Sequence, residues 1–149
     1  MRELENAEIE MSAMMLGKQI GHGQHRKVYI NNLDTNTVIK VEQNAGEFSN
    51  IKEWEIYAAL NDGSGAREFL APCRFISPCG TILIQDRTWP IMVEDLPKKI
   101  PEFINGDLKS LNWGWLGRWK KRRPVCHDYG NNYVFMGSLK LVKADWSRG

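Results

Sequence analysis

A lysine interrupts the β-branched run Thr37-Val38-Ile39-Lys40-Val41, and this one residue sets the first constraint on the fold. The run reads as a short buried strand. An ammonium buried within it costs several kcal/mol unless a counter-charge meets it. Most strand lysines escape by pointing to solvent, so the sequence must be searched for a partner. The next element supplies one. Ser49 or Asn50 can cap a helix with the apolar stripe Ile51, Trp54, Tyr57, Ala58 and Leu60, and Glu53 follows Asn50 at nearly capping-box spacing. Glu53 has a better offset from Ile56, Tyr57 and Leu60 than Glu55 does; its alternative place is a solvated helix face.

The surrounding chain reads as an α+β protein. Residues 1–15 form an amphipathic N-terminal extension to a single domain over 16–149. Leu16 to Tyr29 is broken by Gly17, Gly21 and Gly23, giving strand, glycine turn, strand. Gly21 and Gly23 let backbone N–H groups approach phosphate oxygens without a Cβ in the way, although a plain hairpin has the same pattern. The segment from Asn31 to Asn36 turns the chain. Cys73 to Ile76 and Thr81 to Gln85 form a strand pair joined by Ser77-Pro78-Cys79-Gly80. The end of that second strand, Gln85 to Arg87, could present backbone groups to an adenine edge. Pro90, Pro97 and Pro101 mark an irregular connector. A second hairpin follows Asn112, with arms near Trp113–Leu116 and Val125–His127, and Tyr133–Phe135 with Leu139–Val142 reads as a last strand pair.

Composition narrows the partners. A hydrophobic content of 42% can build a core, and six Trp in 149 residues is unusually many. The net charge of +2 argues against nucleic acid or membrane as a bulk electrostatic partner. No apolar run approaches the roughly 18 residues that would span a bilayer. The N-terminus lacks a signal peptide's basic start and apolar stretch. Three Cys without metal-site spacing (Cys73, Cys79, Cys126) suit free, buried thiols, so the expected location is cytoplasmic. Charge is nonetheless uneven: Arg118 to Arg123 holds five basic residues in six, close to Trp113, Trp115 and Trp119. Cations interleaved with aromatics can hold phosphates while bases stack. The near-neutral total favours the plainer reading, a solvated hairpin tip with core tryptophans at its base.

Two segments carry candidate chemistry. In Asn105-Gly106-Asp107-Leu108-Lys109-Ser110-Leu111-Asn112, Asp107 can orient or deprotonate a hydroxyl and Lys109 can neutralise a phosphoryl group. Asn112 can ligate a hard cation through its amide oxygen, while a helix cap at Asp107 is the plain competitor. In Cys126-His127-Asp128-Tyr129-Gly130, Asp128 suits a metal-binding carboxylate on a sharply bending backbone, or an ordinary turn.

Taken in order, these residues resemble the signature set of the protein-kinase superfamily over about residues 16 to 130. Ile20-Gly21-His22-Gly23-Gln24-His25-Arg26-Lys27-Val28-Tyr29 is similar to the glycine-rich loop and Val38-Ile39-Lys40 to the lysine strand. Asp107-Leu108-Lys109-Ser110-Leu111-Asn112 resembles the catalytic loop, and Asp128-Tyr129-Gly130 stands where Asp-Phe-Gly would. The chain also looks like small kinase-like proteins of tailed bacteriophages, which would place it in a host cytoplasm. The resemblance implies a kinase-like N-lobe (antiparallel sheet plus one αC-type helix, about 16–87) with a much reduced second lobe of catalytic-loop and hairpin elements (88–149). It implies ATP and Mg²⁺ as cofactors: Gly21, Gly23, Val28, Lys40, Gln85 and Arg87 on the nucleotide, and Asn112 with Asp128 on the metal. Asp107, Lys109, Lys40 and Glu53 would be the catalytic set. The implied function is ATP-dependent phosphorylation of protein Ser/Thr, with a non-catalytic kinase-like module gripping a host factor as the alternative.

Departures accompany the match. Arg26 takes the place of the third loop glycine, and Asn105-Gly106 replaces His-Arg. Only 19 residues separate Arg87 from Asp107, too few for the helices that normally underlie a catalytic loop, and 19 follow Gly130. Self-association could complete so short a lobe. Asp145-Trp146 offers a second register in which Asp145 is the metal carboxylate.

Overall fold

The computed structural model describes residues 2–43, 46–60, 63, 65–131 and 138–148. It is an α+β protein with a five-stranded antiparallel sheet. After helix α1 (Arg2–Met15) come β1 (Leu16–His22), β2 (Arg26–Asn31) and β3 (Thr37–Glu42), then helix α2 (Ser49–Ala59), β4 (Cys73–Ile76) and β5 (Ile82–Asp86). The sheet order is β1-β2-β3-β5-β4, so the β-branched strand β3 lies at its centre. There it is covered on both sides, which is what Val38 and Ile39 require. Among the described residues, no helix is long and apolar enough to cross a membrane.

Register decides which side chains share a face. Val28 and Leu83 flank Lys40, Val38 lies opposite Gln85, and Arg26 lies opposite Glu42. Side chains alternate along a strand, so Arg26, Val28, Lys40, Leu83 and Gln85 project to one side. Helix α2 packs over that side. Its residues Glu53, Ile56 and Leu60 fall at positions i, i+3 and i+7, so the stripe that buries Ile56 and Leu60 buries the Glu53 carboxylate with them.

The helix starts differently from expectation. Phe48 precedes it in a left-handed conformation with no side-chain cap, and Ser49 and Asn50 are already helical and buried. Instead of capping, the Asn50 amide donates to the carbonyls of Lys40, Gly80 and Thr81, all at 3.0 Å, tying the helix to β3 and the β4–β5 turn. The oxygen a cap would use is taken as well, since Asn50 Oδ1 accepts from Arg26 Nη1 at 3.2 Å.

The second half has little regular structure. From Arg87 to Asp107 the chain makes only 3₁₀ turns and the short strand β6 (Lys99–Pro101). The hairpin β7 (Trp113–Leu116) and β8 (Arg123–Cys126) has the expected first arm, while the second, expected at Val125–His127, begins two residues earlier and ends at Cys126. It is held by paired backbone bonds between Trp115 and Trp89 of the connector (2.9 and 2.8 Å), and docks on the first half through a bond from Ala71 N to Cys126 O. The last strand, β9 (Leu141–Lys143), pairs with β6. The expected partner Tyr133–Phe135 lies outside the described residues. One core joins the halves: Ile56, Leu60, Leu70 and Leu83 pack with Phe103, Ile104, Trp113 and Tyr129. Cys73 and Cys126 are buried free thiols, whereas Cys79 is exposed.

Candidate functional site

The centre of the site is the Glu53 carboxylate, which is fully buried. Lys40 Nζ donates to Oε1 at 2.5 Å and Gln85 Nε2 donates to the same oxygen at 2.8 Å. Arg26 Nη2 donates to Oε2 at 2.9 Å, and the Tyr129 and Gly130 backbone N–H groups reach that oxygen at 3.3 and 3.2 Å. Five donors thus satisfy one carboxylate, which a buried charge needs to be tolerated. Burial opposes its ionisation, but Arg26 and Lys40 outweigh that and hold the group at about 2, below the ordinary 4.5.

Arg26 extends the network. The residue is 8% exposed, and the same Nη2 donates to Asp128 Oδ1 at 2.9 Å while Nη1 donates to Asn50 Oδ1 at 3.2 Å. Burial disfavours the guanidinium's charge; Glu53 and then Asp128 overcome this and raise its pKa. Lys40, 3% exposed, also donates to the carbonyl of His127. The segment 127–130 is therefore held to the sheet by both buried cations. Gly130 is needed there, because a Cβ would stand 2.9 Å from the Ser49 carbonyl and 3.4 Å from Glu53 Oε2.

Two neighbours complete the layer beneath. His127 Nε2 lies 3.0 Å from the Leu111 carbonyl, which can only accept, so Nε2 carries the proton and Nδ1 accepts from the Thr88 hydroxyl at 2.8 Å. Burial and then Lys40 push this imidazole down to about 4. The Tyr129 hydroxyl donates to Ala71 O at 2.8 Å and meets Cys73 Sγ at 3.1 Å. Burial, followed by the Glu53 charge, pushes the Cys73 thiol up to about 11.

Of the residues singled out in the sequence, Lys40, Glu53, Gln85 and Asp128 meet here, with Val28 beside Lys40 on the same sheet face. The solvated-face reading of Glu53 is overturned, and Glu55 is the exposed one. Gly21 and Gly23 flank the β1–β2 turn, where Gly23 N donates to Arg26 O at 2.9 Å. Arg87 does not join the cluster. It lines a cavity of about 650 Å³ with Thr37, Ile84 and Asp86, residues that alternate with the Lys40 face and so mark the opposite side of the sheet. Lys109 is exposed, and Asn112 opens the β7–β8 hairpin, its carbonyl accepting from His127 N at 2.7 Å. The Asp107 backbone ends a 3₁₀ turn, and its side chain lies outside the described residues. Asp145 is exposed and accepts from Ser147 N at 3.1 Å within the final turn.

The cluster residues do not fit a Mg²⁺ ion held by Asp128 beside Glu53. Arg26 already places a cation within 2.9 Å of both carboxylates, and a divalent ion there would face its charge at close range. Among the described residues, no group of three or more His, Cys, Asp and Glu side chains is placed to hold a metal. Sequence reasoning noted Arg26 only as a departure from a glycine pattern; two-residue periodicity from Val28 puts it on the Lys40 face and was the available signal. No protein-family model matches the chain, and no curated protein is significantly similar to it.

Proposed function

We propose that this chain is a kinase-like protein in which the cluster where nucleotide and metal would bind serves as a structural latch, making it a non-catalytic binding module. The kinase-like part of this reading is supported by the order of elements: glycine turn, lysine strand, helix glutamate, then Asp107–Asn112 leading into a hairpin that is followed by Asp128-Tyr129-Gly130. One observation carries the non-catalytic part. Arg26 bridges Glu53 and Asp128 with two 2.9 Å bonds, so the carboxylate expected to hold the metal already carries a fixed cation on Oδ1. The short connector from Arg87 to Asp107, without an α-helix among its residues, leaves no helical base beneath the catalytic-loop segment.

A second reading, ATP- and Mg²⁺-dependent phosphotransfer to protein Ser/Thr, draws support from the Lys40–Glu53 pair itself. It requires Arg26 to release Asp128. Incubation with γ-labelled ATP, Mg²⁺ and a generic acceptor protein separates the two. The latch reading expects wild-type labelling no greater than that of Lys40→Ala and Asp107→Ala. Labelling by wild type that both substitutions abolish would establish phosphotransfer instead.

A further inference from the structure

The β7–β8 tip carries a different kind of charge cluster from the latch. Arg118, Lys120, Lys121, Arg122 and Arg123 are all exposed, and among the described residues none pairs with a carboxylate. Their contacts are to neutral groups: Arg118 to the Asn36 side chain at 3.5 Å, Arg123 to the Glu68 carbonyl at 3.1 Å, and Arg122 over the Trp115 ring at 4.1 Å. Within this run Trp119 is 87% exposed, with a φ of 55° that a bulky side chain rarely adopts. Trp113 sits in the core, as a tryptophan at the hairpin base should, but Trp119 does not. The stripe continues off the tip: Trp115 is backbone-paired to Trp89, whose ring lies under Arg87 at 4.0 Å.

We infer that this tip is a binding surface for single-stranded nucleic acid, with Trp119 as the stacking platform and Arg118, Lys120, Lys121 and Arg123 as phosphate contacts. Charge complementarity favours a polyanion, since five clustered cations lack internal compensation. The exposed ring selects among polyanions. A single strand alternates phosphates with unstacked π-faces, matching an aromatic flanked by cations, whereas a duplex hides its bases and an acidic polypeptide offers charge alone. A lipid surface would call for more apolar residues than Trp119 at the tip, and its sequence neighbours are Arg118 and Lys120. The surface lies apart from the Glu53 cluster, so the inference stands whether or not the latch opens.

The test is titration of the intact protein into fluorescein-labelled oligo(dT), with matched arms of duplex DNA, polyglutamate and vesicles of phosphatidylcholine and phosphatidylserine in equal parts. Neutralising about four phosphates gives a salt slope near −3, hence about a 50-fold loss of affinity from about 50 to about 200 mM NaCl. Trp119→Ala should weaken binding by about tenfold and abolish quenching of tryptophan fluorescence by the oligonucleotide. Lys120→Glu with Lys121→Glu should remove binding while leaving the melting temperature at the wild-type value. No binding at low salt, an unchanged affinity in Trp119→Ala, or tighter binding of duplex, polyglutamate or vesicles would each overturn the proposal.

Discussion

Two cation clusters in this chain use the same residue types and behave oppositely. Around Glu53, Arg26 and Lys40 are buried, and each donates to the Glu53 carboxylate. At the β7–β8 tip five cations stand in solvent with no carboxylate partner among the described residues. The difference follows from solvation. A buried charge loses several kcal/mol of hydration and persists only where fixed partners replace the water. A surface charge has no such need, and pairing it yields about 0–1 kcal/mol. The buried cluster therefore organises the molecule: Arg26 and Lys40 reach Asp128 and His127, 102 and 87 positions away, and lock the second half to the sheet. The exposed cluster makes only surface contacts to neutral groups, at Asn36, the Glu68 carbonyl and the Trp115 ring, and is left available to a partner.

The sharpest way to break this contrast is Glu53→Ala, which leaves Lys40 without a carboxylate and Arg26 with Asp128 alone, and should cost about 3–5 kcal/mol, read by urea denaturation. Arg26→Met is milder, because Lys40 still neutralises Glu53. It removes the bridge to Asp128 and should cost about 1.5–3 kcal/mol, with faster hydrogen exchange at residues 127–130 than elsewhere. If Arg26→Met left both unchanged, the guanidinium would not be the element that locks the halves together.

Acid titration sharpens the comparison further. Glu53 ionises in the fold at about 2 against an ordinary 4.5, so its contribution is present above 4.5 and disappears as pH falls toward 2. His127 protonates in the fold at about 4 against 6.5. Unfolded chains take up that proton first, so stability is full above 6.5 and declines as pH falls to 4. Acid weakening should thus come in two stages, and His127→Gln should erase the first while sparing the second. At the small end, Lys120→Glu with Lys121→Glu should change folding stability by less than about 0.5 kcal/mol.

What the sequence showed and what it hid divide along physical lines. Lys40 and Glu53 were legible because a charge inside a β-branched strand demands a partner and the next helix offers one on its apolar stripe. The β7–β8 hairpin was legible from local pattern, although its second arm starts at Arg123 rather than the expected Val125. Arg26 was legible in direction but not in role, since its partner Asp128 is brought near only by the folding of the second half. Asn50 read as a cap because capping is a local signal, whereas the carbonyls of Gly80 and Thr81 that claim it are some 30 residues away. The strand expected at Leu139–Val142 lies at Leu141–Lys143, and its pairing with Lys99–Pro101 was not legible, because a strand's own alternation does not name its neighbour. Trp119 ran against the usual preference of large aromatics for burial.

The central claim, that Arg26 holds Glu53 and Asp128 as a latch, is tested most directly by thermal shift of the wild-type protein with ATP, with and without Mg²⁺. A bound ligand at 100 times its Kd adds about 2.7 kcal/mol of stability. The latch account predicts no Mg²⁺-dependent rise in melting temperature at millimolar ATP. A Mg²⁺-dependent rise in wild type that Lys40→Ala and Asp128→Asn both abolish would contradict it.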